Sequence, residues 1–200
     1  MNTPHHWTNG PADVDPLNQA RTRWQFRWWL EPGPGVTALG EDNIAHYVDV
    51  VLNKVQSSWG ARVGVAFVQV PRRDLAHIVL RFSDAIPPGA TFWAGGWYFH
   101  DTQIDANIAQ ISPSVFNDIM MFAYLVGMEM VGHGCFRMHD MYTDNHGPYR
   151  GAMGNWHPAD PWTAFPSDEE VESAKLWLHG AAVHVHPDIG VVNILGHRED

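Results

Sequence analysis

The 200-residue chain has one cysteine, Cys135, and two lysines, Lys54 and Lys175. One cysteine rules out an internal disulfide, so the stapled framework of small secreted domains is absent. The ten arginines are scattered and form no basic stripe, and the formal net charge is −10. Nucleic-acid binders need clustered positive charge to neutralise phosphates, so that class is set aside. No apolar run reaches the length of a bilayer span, and no membrane span is expected. Residues 1–10 lack a basic start followed by an apolar stretch, so no secretory signal is expected either.

Hydrophobic residues make up 45% and charged residues 17%. This is a globular composition, and the length suits one domain. Trp occurs ten times. Such residues fill a core or mark an interface, and both readings stay open. Residues 1–23 show no periodicity and read as an N-terminal arm. Residues 24–180 carry the domain, and 181–200 read as a C-terminal tail.

Trp24, Phe26 and Trp28 alternate with polar residues, which predicts a half-buried strand to Leu30. Ile44, Val48, Val51, Leu52, Val55 and Trp59 recur at helical spacing from Glu41, with Gly60 expected to stop the helix. Strands are expected over 62–70, 77–82, 92–100 and 103–111. The Gly95-Gly96 pair predicts a bulge or a close backbone approach. Ser112-Pro113 reads as the opening of a helix that is apolar on nearly all sides through Val131. Ser167 and Glu170 form a capping box for a last helix with Val171, Ala174 and Leu178 on its inner face, closed by Gly180. Most strands precede the central helix, so the predicted class is α+β.

The stretch from Glu129 to Asp140 concentrates chemistry. Glu129 and His133 are four apart on a helix and share a face. A turn beyond them would return His139 to the same point. Two imidazoles and a carboxylate form a known zinc set, and the carboxylate would also suit other divalent ions.

This stretch resembles the metzincin zinc signature, H-E-x-x-H-x-x-G-x-x-H. His133 and His139 match its second and third ligands, Gly132 a glycine often found before the second, and Asp140 an acidic residue often found after the third. Glu129 stands where the first histidine belongs, Met130 where the catalytic glutamate belongs, and Phe136 where the turn glycine belongs. Gly151-Ala152-Met153-Gly154 is similar to the family's Met-turn, with Met153 beneath the metal. The capped helix from Ser167 resembles the C-terminal helix of the matrixin branch. The resemblance implies a twisted mixed sheet, a central active-site helix, a Met-turn and a C-terminal helix over about Trp24–Gly180.

It also implies zinc or another divalent metal at Glu129, His133 and His139. In the family a carboxylate at the position of Met130 takes a proton from metal-bound water, and a thioether cannot do this. Glu129 is the candidate base that remains, but on the ligand side. Two readings follow. One is a catalytically impaired pseudoenzyme kept as a structural or binding module for a protein or peptide partner. With no signal expected, it would be cytoplasmic or built into a virion as a phage tail component. The other is an active zinc endopeptidase with an atypical site. Plainer readings accompany each residue. Glu129 can be a buried carboxylate paired with a histidine, His133 and His139 core histidines, Met153 packing, and Cys135 a small buried residue. His146 and His157 read as loop residues. His5, His6, His184 and His186 could bind metal as short clusters and read as solvated tails.

Overall fold

A computed structural model describes residues 5–6, 24–33, 37, 40–82, 94–97, 107–111, 118–136, 138, 151–154, 165–179 and 184–185. Strands β1 (His5–His6) and β7 (His184–Val185) pair in parallel, so the backbones of the predicted arm and tail meet. The other strands are β2 (Trp24–Glu31), β3 (Val65–Gln69), β4 (Ile78–Phe82), β5 (Ala94–Trp97) and β6 (Asn107–Ile111). They form one sheet in the order β3-β2-β4-β6-β5. Neighbours are parallel except β5, which runs antiparallel to β6 at one edge. The architecture is mixed α/β, with the sheet built before the central helix.

The alternation read in β2 holds, since Phe26 and Trp28 are buried between half-exposed neighbours. Central β4 buries Ile78, Val79 and Leu80 in succession, as a strand covered on both faces should. Gly95 and Gly96 pair one-to-one with Gln110 and Ala109. The register there therefore contains no bulge.

Helix α1 (Glu41–Val55) buries Ile44, Val48, Val51 and Val55. It does not stop at Gly60. It continues through a wider π-type turn (Gln56–Gly60) and a last turn (Ala61–Val63). Gly64 ends it with φ +91°, a left-handed conformation that favours glycine. Strand β3 consequently starts at Val65 rather than at Arg62. The Gln56 side chain then turns onto the open edge of β3. Its amide nitrogen donates to the Val65 carbonyl, and its oxygen accepts from Phe67 N–H, both at 3.0 Å.

Helix α2 (Ile119–Leu125) is capped by Asp118, whose carboxylate accepts from the N–H groups of Met120 and Met121 at 3.0 Å. The expected Ser112-Pro113 opening lies outside the described residues. The helix continues as a π-helical stretch (Val126–Cys135), and every residue from 122 to 136 is buried. Helix α3 (Asp168–Leu178) carries the predicted capping box, with Val171, Ala174 and Leu178 buried; Gly180 lies outside the described residues.

Phe136, at the end of the π-helical stretch, joins an aromatic core. It stacks on Trp59 at 5.4 Å and meets Phe26 and Trp177 edge-on at 5.5 and 6.4 Å. Trp28, Trp59 and Trp177 are all 2% exposed or less, so these three fill the core. No described helix is long and apolar enough to cross a membrane.

Candidate functional site

Glu129 and His133 both lie in the π-helical stretch and are 5% and 1% exposed. Here backbone N–H groups bond five residues back, as Phe136 N–H does to Val131 at 3.0 Å. π-type turns are rare and recur at functional sites. Nothing in the apolar pattern distinguishes this pitch from an ordinary α-helix, so the sequence signals only the helix.

The His133 ring is oriented by the chain that follows it. Nδ1 lies 2.7 Å from the Met138 carbonyl, and Met138 N–H donates to the Gly132 carbonyl at 2.9 Å. A carbonyl only accepts, so Nδ1 carries the proton and donates. In a neutral imidazole this leaves the lone pair on Nε2. Metal-binding histidines commonly have this second-shell arrangement, in which a carbonyl fixes the tautomer and the other nitrogen coordinates.

Met153 lies against the same helix and is fully buried. A Cβ on Gly132 would overlap the Met153 sulfur and come within 2.9 Å of its methyl carbon. Glycine at 132 is therefore what lets the thioether reach the helix beside His133. The turn itself closes with Gly154 N–H donating to the Gly151 carbonyl at 3.2 Å.

Two side chains hold this turn, and sequence reasoning missed both roles. Tyr124 donates its hydroxyl to the Gly154 carbonyl at 2.5 Å. Glu170 is fully buried. One of its oxygens accepts from Met153 N–H at 2.7 Å, and the other from Ala152 N–H at 3.0 Å and Ser167 N–H at 2.7 Å. Thus the residue read as half of a capping box also binds the turn. Its packing is close enough that a Cβ on Gly151 would lie 2.6 Å from both carboxylate oxygens. The available signal was the glycine at each end of Gly151–Gly154, which marks a tight approach but does not name the partner.

Met130 is fully buried in the core. Phe136 has φ −98° and ψ −2°, an ordinary right-handed backbone. The chain therefore leaves the helix without needing the glycine that the signature places there. Cys135 is buried, as read. His139, Asp140, His146 and His157 lie outside the described residues. Among the described residues, no three His, Cys, Asp or Glu side chains gather as a metal set.

The donor chemistry of the described pair suits a divalent metal. An imidazole with its tautomer fixed and a buried carboxylate four residues earlier are complementary to a cation. A carboxylate at 5% exposure must in any case be paired, protonated or ligated. No family model and no curated protein matches the chain.

Proposed function

We propose that this chain is a matrixin-like member of the metzincin fold group whose metal site has degenerated, retained as a structural or peptide-binding module. The observation that carries the reading is the seat of Met153 against Gly132, beside a His133 ring whose Nδ1 is bound to the Met138 carbonyl. The mixed sheet, the central helix, the turn at Gly151–Gly154 and the capped last helix follow in the order that the resemblance implies. Glu129, His133 and His139 would hold zinc or another divalent ion. Such an ion would supply Lewis acidity and lower the pKa of a bound water. The residue next to Glu129, where a proton acceptor is needed, is the buried thioether of Met130. The assignment is therefore to binding and architecture, in a setting such as the tail of a phage particle, with other virion subunits as partners.

The burial of Glu129 favours a second reading, an active zinc endopeptidase using a Glu/His/His set. Metal analysis of the purified chain, with peptide-cleavage assays on the parent and on Glu129→His/Met130→Glu, separates the two. The module reading expects about one metal per chain at most, no chelator-sensitive cleavage by the parent, and cleavage gained in the double variant. Chelator-sensitive cleavage by the parent would establish the second reading. No metal in either protein would refute the shared site.

A further inference from the structure

We propose that Arg73 and Arg81 form a receptor for a carboxylate on an acidic segment of a protein partner, on the sheet face opposite the central helix. Successive residues of a strand alternate faces. Ile78 faces the central helix, since a Cβ on Gly134 would lie 3.8 Å from its side chain. Arg81 and its register partner Glu31 therefore lie on the other face. Glu31 is 19% exposed, and Arg81 holds both of its oxygens in a fork, Nε on Oε2 and Nη2 on Oε1, the latter at 3.1 Å. The short turn Arg73–Leu75 brings a second guanidinium to the same carboxylate, but Arg73 Nη1 stops 3.9 Å from Oε1. That is beyond hydrogen-bond distance. Arg73 Nε is buried and has no hydrogen-bond partner among the described residues. Two cations thus share one carboxylate whose oxygens are engaged by only one of them, which leaves a surplus positive charge. The Arg73 and Arg81 side chains are 38% and 34% exposed, so that charge is open to solvent. Neighbouring Arg72 adds little to it, because it pairs with Asp74 at 2.9 Å. A guanidinium fork matches a carboxylate, as Arg81 on Glu31 already displays. A second carboxylate on Arg73 would balance two cations with two anions. A nucleic acid also carries anions, but a net charge of −10 opposes a polyphosphate chain. A single acidic side chain needs only this local surplus.

The receptor shares no residue with the candidate metal set, so its test is independent of what His133 binds. An acetylated, amidated hexaglutamate peptide is titrated into the full-length chain at low salt, and the arginine Nε–H resonances are followed by NMR. The expected result is saturable shifts of the Arg73 and Arg81 signals, with that of Arg72 unmoved. Arg73→Gln should weaken binding about tenfold, as expected for one charge-assisted pair. Arg73→Lys should recover part of that loss, because an ammonium keeps the charge without the fork. Arg72→Gln should change binding less than about twofold. The parent's shifts are read without any substitution, so the outcome does not depend on how a variant folds. Absence of a saturable shift at Arg73 overturns the receptor. Equal weakening by Arg72→Gln and Arg73→Gln overturns it too, because the attraction would then be diffuse. Tighter binding of a decathymidine strand at the same resonances overturns the assignment to an acidic protein segment.

Discussion

Replacing Glu170 tests whether one carboxylate joins the Met153 turn to helix α3. In the parent it accepts from Ala152, Met153 and Ser167. The first two donors belong to buried residues. Each buried donor left unsatisfied costs about 1–3 kcal/mol. Truncation at Glu170→Ala strands two of these and opens a void, so the expected loss is about 3–5 kcal/mol. For a chain of this size that lowers Tm by roughly 6–20 °C. Glu170→Gln is the finer probe. Its amide oxygen can keep the Ala152 and Ser167 donors, but its NH₂ then faces Met153 N–H, and the expected loss is about 2 kcal/mol. Ser167→Ala is the control, since it removes the cap alone and should cost about 1 kcal/mol. Urea denaturation followed by tryptophan fluorescence reads all three, because Trp59 and Trp177 are buried in the adjoining core. If Glu170→Ala costs no more than Ser167→Ala, the carboxylate is a helix cap only and the reasoning fails.

The remaining predictions concern close packing and edges. Gly132→Ala should destabilise by about 1–3 kcal/mol through its clash with Met153; adding Met153→Ala should recover part of that loss, and strict additivity in the double-mutant cycle would refute the contact. Gln56→Leu removes both bonds to β3 and uncovers strand edge, so concentration-dependent association should appear in sedimentation velocity. A sedimentation profile unchanged from the parent's would show that the amide does not guard the edge. Arg62→Met should cost less than about 1 kcal/mol in its ion pair, because the Asp168 side chain is 94% exposed. A larger urea-melt loss would place the weight on the Arg62 bond to the Pro166 carbonyl.

Much of the framework was legible because its signals are local. The Trp24–Trp28 alternation, the apolar stripe of Glu41–Val55 and the Ser167–Glu170 box each state their element within a few residues. Errors arose where a long-range contact overrides a local habit. Gly60 resembles a helix stop, but it lies inside a wider turn that brings Gln56 to β3. Gly95-Gly96 was open to a bulge or a close backbone approach, and its even pairing with β6 removes the bulge. The placement of Glu129 and His133 on one helix was readable from the sequence. The tether from His133 to Met138 was not, because the π pitch and the following turn set that distance. Glu170 shows the limit most clearly. Its identity and position suit a solvated cap, and only the fold shows that a buried turn lies against it.

The Gly151–Gly154 turn is held by a phenol from one helix and a carboxylate from another. Neither Tyr124 nor Glu170 belongs to the candidate ligand set. The buried turn packed on Gly132 is thus braced by side chains outside that set. Holding the turn and, under the proposed function, holding an ion would be separate tasks, assigned to different residues. Mutations could weaken the second without loosening the first. Under the function proposed above, this separation would provide a physical route by which the framework outlasts its chemistry.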